Sequence, residues 1–378
     1  MSGCMMKRIP AVLAIAAISM FPAAPVLADE PRQTFTRAEV AGIIGDIQKI
    51  VTPDGVQEQL EIPIGGIRQW ISVRGRDRRN PILLVIHGGP GSVEMPLGWT
   101  YQQGWEDYFT VVQWDQRGAG KTYAANDPAL VRPTLTIERM VADAGEVVQY
   151  LQKRYDRKKI FVLGHSWGSV IGLSLAQRHP DWLYAYVGEG QLLNGDDNER
   201  VGYANTLKAA RQAGNAEAVR QLEAIAPYPD TDGGTPLEKV RVDRKWSGYY
   251  GGLAAGRSSL DWYGNALEMS PEYSDRDIAA IDAGTAMSLR ALLPQEARLD
   301  LTGMTTFATP VIIFAGRHDN TTPSENVAAW LPKVQAPFKK IIWFENSAHM
   351  IATEEPGRVL VHLVQDVRPF AGNDLPDR

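Results

Sequence analysis

The stretch from Lys159 to Gln177 constrains the fold more tightly than any other part of the chain. An apolar, β-branched run, Ile160 to Leu163, stops at Gly164-His165-Ser166-Trp167-Gly168. A small-residue run with helical spacing, Val170 to Gln177, follows at once. Strand, sharp turn and helix in that order put Ser166 at the apex of a strained turn, with its hydroxyl raised above the sheet. Gly164 and Gly168 leave room for neighbouring backbone where a Cβ would clash. Ser166 is therefore the candidate nucleophile. The competing reading is a helix N-cap serine after a buried strand.

The flanking pattern extends this unit into a sheet. Residues 35–50 have helical spacing, with Val40, Ile43, Ile44 and Ile47 on one face, and are expected outside the core. Gln57 to Ile64 and Ile67 to Val73 alternate polar and apolar around Gly65-Gly66, the pattern of an antiparallel hairpin. Pro81 to Ile86 is continuously apolar, as in a strand buried on both faces, and runs into His87-Gly88-Gly89-Pro90-Gly91. Thr110 to Asp115 is the next strand. Residues 136–155 form a strong amphipathic helix, with Ile137, Met140, Val141, Val147, Val148 and Leu151 available for one face. Strands follow near residues 182–187, 310–315 and 340–344, and a closing helix over 354–367. Strands alternating with helices define an α/β fold with a mostly parallel, doubly wound sheet.

The rhythm breaks between residues 192 and 301. Helical patterns there are irregular and rich in Gly, Trp and Tyr, including Trp246, Tyr249, Tyr250, Trp262, Tyr263 and Tyr273. An insertion of this length between core strands is expected to be a helical cap over the carboxyl edge of the sheet. Its aromatics, Trp246 among them, are candidates for lining a substrate pocket, though most are expected to be cap core. The domain plan is thus core 29–191, cap 192–301 and core 302–378.

Residues 1–28 read as a targeting segment. Lys7 and Arg8 precede an apolar run from Ile9 to Leu27, and Val26-Leu27-Ala28 ends it with small residues at the cleavage positions. That is the pattern of a secretory signal peptide cut after Ala28, which implies a secreted or periplasmic protein without a membrane anchor after cleavage. The sole cysteine is Cys4, so no intrachain disulfide is available. A formal charge of −5 offers no footprint for nucleic acid. No dinucleotide fingerprint, phosphate loop or metal-ligand spacing is present, so no cofactor or metal is expected. The expected partner is a small-molecule or short-peptide substrate.

A serine hydroxyl needs a general base, and the base needs an orienting acid. In a sheet of this kind the order is Ser, then Asp or Glu, then His, each in a loop after a later strand. Asp319, in Gly316-Arg317-His318-Asp319, follows the 310–315 strand and is the candidate acid. An Asx-turn before Thr321 is its structural alternative. His349, in Ser347-Ala348-His349, follows the last strand and is the candidate base. His165 is expected to point away from the reaction, His318 to sit beside the acid, and His179 and His362 to be structural. An oxyanion hole needs two preorganised N–H donors. Trp167, first in the elbow helix, supplies one, and Gly89 the other, with Gly88 second. Pro90 has no N–H to give, and His87 is expected to organise the loop.

Together these segments resemble the proline iminopeptidase-like branch of the α/β-hydrolases. The matching pieces are His87-Gly88-Gly89-Pro90-Gly91, Trp114-Asp115-Gln116-Arg117-Gly118-Ala119-Gly120, Gly164-His165-Ser166-Trp167-Gly168-Ser169, Gly316-Arg317-His318-Asp319 and Ser347-Ala348-His349. The resemblance covers the core from about Gln57 onward and is weakest in the cap. It implies the α/β-hydrolase fold, a Ser166–Asp319–His349 triad, a helical cap and no cofactor. It also implies action on small peptides with a free N-terminus, whose ammonium group cap carboxylates hold. Family members carry an acid close after a cap tryptophan, whereas Arg244-Lys245-Trp246-Ser247-Gly248-Tyr249-Tyr250 has none. Glu189, just past the 182–187 strand, is a candidate ammonium partner, with Glu199 and Glu268 behind it, and a solvated or structural role is the leading alternative for each. The alternatives are an esterase or amidase on a small non-peptide substrate, a lyase or carbon–carbon hydrolase using the same residues, and a non-catalytic binding protein on the same fold.

Overall fold

The computed structural model describes residues 34–231 and 234–374. The expected signal peptide lies outside them. Among the described residues the sheet has eight strands: β1 (Val56–Ile64), β2 (Ile67–Gly75), β3 (Ile82–Ile86), β4 (Thr110–Asp115), β5 (Ile160–His165), β6 (Leu183–Glu189), β7 (Val311–Gly316) and β8 (Lys339–Phe344). Their order is β1-β2-β4-β3-β5-β6-β7-β8. The hairpin β1–β2 is antiparallel and joins β4 antiparallel, and every pair from β4–β3 to β7–β8 is parallel. Gly65 and Gly66 make the hairpin turn, both at positive φ.

Both faces of the parallel strands are covered, which is why β3 reads as an unbroken apolar run. Alternation sends Ile82, Leu84 and Ile86 to the face packed by Met140, Val147 and Leu151 of the helix Ile137–Tyr155 and by the elbow helix Trp167–Arg178. Leu83 and Val85 point the other way, onto Trp105, Phe109 and the closing helix Pro356–His362. Each such side chain contributes about 1.5–3 kcal/mol by leaving water. Thr136 caps the first of these helices, its side chain accepting from Arg139 N at 3.1 Å. Asp156 ends it in the left-handed region at φ 50°. The N-terminal helix, Arg37–Ile47, buries none of its residues.

Five longer helices lie between β6 and β7: Gly195–Gln212, Ala216–Ala224, Leu237–Tyr249, Asp261–Glu268 and Asp275–Glu296. A short neck closes this insertion. Leu301 N donates to Leu193 O at 2.7 Å and Gly195 N to Leu299 O at 3.0 Å. The insertion rests on the loops that leave β3 and β4. Thr285 Oγ1 donates to Gly91 O at 2.8 Å and Ser288 Oγ to Gly118 O at 3.1 Å. Beneath them the β4 loop is tied to the core by charge. Arg117, 1 % exposed at its side chain, holds Asp143 through Nε–Oδ2 at 2.7 Å and Nη2–Oδ1 at 3.1 Å. Arg139 and Gln69 reach the same carboxylate at 2.8 Å each.

Candidate active site

The elbow is strained as its sequence demands. Ser166 sits at φ 53°, ψ −122°, between β5 and the elbow helix. The crossing is too close for side chains. A Cβ on Gly168 would lie 1.9 Å from Ile86 O, and one on Gly164 2.5 Å from Gly168 O. Gly88 packs against the serine itself, where a Cβ would come 3.0 Å from Ser166 Cβ.

Asp319 and His349 meet in the loops after β7 and β8. His349 Nδ1 donates to Asp319 Oδ2 at 2.9 Å, with both side chains buried. Asp319 is fixed before it meets the histidine. Its Oδ1 accepts from Thr321 N and Thr322 N at 2.8 Å each, and its Oδ2 from the Thr322 hydroxyl at 2.9 Å. The Asx-turn expected as a rival role is thus present as well, and it orients the carboxylate. Burial pulls His349 below the usual histidine range against the opposing pull of Asp319, so the ring is neutral at neutral pH. With Nδ1–H committed to Asp319, Nε2 is left as an acceptor. No hydrogen bond joins Nε2 to Ser166 Oγ in this geometry. Such contacts are often long before substrate binds.

The expected oxyanion donors border the same place. Gly89 lies at φ 117°, a conformation side chains resist. Among the described residues neither the Gly89 nor the Trp167 N–H is taken by a backbone acceptor. His87 organises the loop from behind. Its Nδ1 donates to Gly88 O at 2.9 Å, and its Nε2 accepts from Gln116 N at 3.2 Å. Gln116 Nε2 returns a bond to His87 O at 2.7 Å, and Trp167 Nε1 reaches Gln116 Oε1 at 3.3 Å. The loops after β3 and β4 and the elbow are therefore laced together.

His165 does not point away. Its Nδ1 donates to Glu94 Oε1 at 2.5 Å and its Nε2 to the carbonyl of His349 at 3.1 Å. Its ring lies 4.7 Å from that of His349. Two acceptors recruit the side chain inward and make it an imidazolium. Burial opposes that charge, but Glu94 and then Glu189 outweigh it and push His165 up to about 9. His165 thereby staples the elbow to the base loop on one side and to the loop after β3 on the other.

Ser166, Gly88, Gly89, Glu94 and His165 share a cavity of about 170 Å³, closed by Leu253, Leu260 and Tyr263 from the cap and by Met350. A larger groove of about 590 Å³, between Pro128, Arg132 and Met287, holds none of the nucleophile, acid or base candidates. Chemistry therefore favours the smaller cavity. The expected substrate residues lie elsewhere. Glu189 ends β6 in register with His165, but its carboxylate turns to Ala352 N at 2.9 Å and lies outside the cavity wall. Burial pushes it up to about 7. Trp246 faces the cap's own core, Ala210, Ala218 and Leu222, and donates Nε1 to Gln221 Oε1 at 3.0 Å. Glu199 is engaged by Arg244 and Tyr228, while Glu268 and His318 are exposed. His179 stacks on Trp182 and His362 bonds Asp366. Glu94 is the residue that sequence reasoning passed over. Its signal was present, a lone acid in the otherwise apolar run Val93-Glu94-Met95-Pro96 behind the glycine loop.

A parallel sheet, a serine elbow after β5, and an acid and a histidine in the loops after the last two strands define an α/β-hydrolase. Comparison with known proteins agrees. The alpha/beta hydrolase fold family matches residues 81–356. The probable aminopeptidase YbaC of Bacillus subtilis is 30 % identical over 299 residues, spanning 78 % of this chain and 92 % of that protein. Proline iminopeptidase of Neisseria gonorrhoeae is 25 % identical over 302 residues, 76 % and 88 % of the two chains. Among solved structures, proline iminopeptidase of Mycobacterium smegmatis aligns at a TM-score of 0.60 and 17 % identity, covering 83 % of this chain and 98 % of the other, a likeness of fold. The chain belongs to the α/β-hydrolase family, in its proline iminopeptidase-like branch.

Proposed function

We propose that the protein is a serine aminopeptidase that releases the N-terminal residue of short peptides through an acyl-enzyme. Ser166 Oγ attacks the carbonyl carbon of that residue while His349 Nε2 takes the hydroxyl proton. Asp319 holds His349 in the tautomer that can accept it. The N–H groups of Gly89 and Trp167 receive the oxyanion. The tetrahedral species expels the amine, which takes the proton back from His349. Water, deprotonated by the same ring, then releases the residue and restores Ser166. The observation that carries this reading is the buried Asp319–His349 bond of 2.9 Å, in loops beside a serine held at φ 53°. The kinship with proteins named as aminopeptidases supports the substrate class. The N-terminal pattern of residues 1–28 supports export, and the mature N-terminus, read by mass spectrometry, tests it.

The largely apolar wall of Leu253, Leu260, Tyr263 and Met350 favours a second reading, hydrolysis of small esters or amides. The two separate on one panel: prolyl and alanyl β-naphthylamide, their amine-blocked forms, and p-nitrophenyl acetate and butyrate, each with Ser166→Ala as control. Ser166-dependent turnover of the free-amine substrates, lost on blocking, is the expected result. Turnover of esters alone would discard the aminopeptidase reading and keep the mechanism.

A further inference from the structure

An N-terminal residue has its ammonium group two bonds from the carbonyl carbon under attack. Whatever anchors that charge must therefore stand within a few ångströms of the carbonyl, on the wall of the cavity that holds Ser166. The other candidate carboxylates do not line the cavity: Glu199 of the cap is tied to Arg244 and Tyr228, and Glu189 at the end of β6 to Ala352. Of the residues lining the cavity with Ser166, Glu94 is the acid. Its side chain is 11 % exposed. One oxygen, Oε1, is fully used by His165 Nδ1 at 2.5 Å and by Gly88 N at 3.4 Å. The other, Oε2, has no hydrogen-bond partner among the described residues, and it is not among the unpartnered atoms sealed from solvent.

We infer that Glu94 Oε2 is the anchor for the α-ammonium group of the substrate, and that the small apolar pocket beside it takes the first side chain. This rests on the aminopeptidase reading above and gives its specificity a residue. Three features fit. The carboxylate is placed: the bond from Gly88 sets it one residue from Gly89, the donor assigned to the oxyanion. It is charged: burial works against ionisation, but the His165 imidazolium and its hydrogen bond hold Glu94 below the usual carboxylate range. Its neighbourhood can accept a cation, because the His165 imidazolium takes only Oε1 and leaves Oε2 free. The cavity of about 170 Å³ limits the side chain that follows to a small apolar one, of the size of alanine or proline.

The test is a ratio. The kcat/KM for alanyl β-naphthylamide is divided by that for its N-acetyl form, in the wild type and in Glu94→Gln. Glutamine keeps the shape and can still accept from His165, but carries no charge. Losing one partner of a buried charge pair lowers the free-amine preference about 30-fold or more. A preference that survives in Glu94→Gln overturns the inference and leaves the aminopeptidase reading intact. A parallel loss on both substrates preserves the ratio and likewise overturns it, since Glu94 would then only support the loop. A wild type without any preference for the free amine removes the reading and the inference together. Should Glu94→Gln fail to fold by circular dichroism, Glu94→Asp is read instead. It keeps the charge but draws it back by one methylene, and an undiminished preference there counts against the assignment. In the wild type, n-propylammonium should inhibit hydrolysis of p-nitrophenyl acetate competitively while n-propanol does not. Equal inhibition by both would contradict an ammonium site.

Discussion

Replacing Asp319 with Asn tests the mechanism at the point the geometry defines best. Asp319 Oδ1 accepts two backbone N–H groups, from Thr321 and Thr322. An asparagine must keep its carbonyl oxygen there, because an NH2 group would face two donors. Its NH2 therefore takes the place of Oδ2, toward the Thr322 hydroxyl and His349 Nδ1. The hydroxyl can turn to accept, so the loop survives. His349 Nδ1 is then left with the Thr322 hydroxyl at 3.2 Å, already turned to the new amide, so its proton moves to Nε2. Nε2 then cannot accept the proton of Ser166. This change of tautomer lowers kcat by about 10⁴, or about 5.5 kcal/mol of barrier. The assay is pre-steady-state acylation with the best substrate of the panel, with the urea midpoint measured alongside. A loss below about tenfold, with folding unchanged, would refute the assigned tautomer and with it the role of Asp319.

Further outcomes follow from charges held in the core and the elbow. Asp143→Ala leaves the Arg117 guanidinium, 1 % exposed, buried without its carboxylate, and should cost about 3–5 kcal/mol in urea unfolding; a loss below about 1 kcal/mol would show that the loop relaxes to hydrate it. The pH profile of kcat/KM should be bell-shaped, with its acid limb below 6.5 because burial depresses His349, and its alkaline limb near 9, where His165 loses its proton. In His165→Gln the alkaline limb should vanish and the acid limb rise, because the imidazolium beside His349 helps to keep that ring neutral. The same pair sets a stability window. His165 is raised from 6.5 to about 9, so its contribution is complete below pH 6.5 and fades as pH climbs through about 9. A profile unmoved by His165→Gln would contradict this coupling.

Much of the scaffold was legible because its signals are local. Strands covered on both faces read as apolar runs, as in Ile82–Ile86. The Gly164–Gly168 pattern marks a place where backbone meets backbone at distances no Cβ tolerates. Asp319 and His349 were legible from chain order, since loops after successive parallel strands gather at one edge. The pocket was not, because its wall is assembled across sequence. Leu253, Leu260 and Tyr263 reach it from the cap, and Glu94 from the loop behind Gly91. Trp246 kept two roles open in the sequence because an aromatic in a cap can pack inward or toward substrate, and here Ala210 and Leu222 leave space for it in the cap core. Glu189 kept two roles open because strand order puts it at the carboxyl edge but does not say which way its carboxylate turns, and here it turns to Ala352 N. The inward turn of His165 is not legible locally, because both of its acceptors, Glu94 and the His349 carbonyl, are distant in the chain.

The claim on which the account turns is that Ser166 is a nucleophile made reactive by His349. It is tested most directly by treating the folded protein with a fluorophosphonate and locating the adduct by peptide mass spectrometry, in the wild type and in His349→Ala. The account predicts stoichiometric labelling on Ser166 in the wild type, and labelling slowed by orders of magnitude when the base is removed. An unlabelled Ser166 in folded protein, or labelling equally fast without His349, would contradict it.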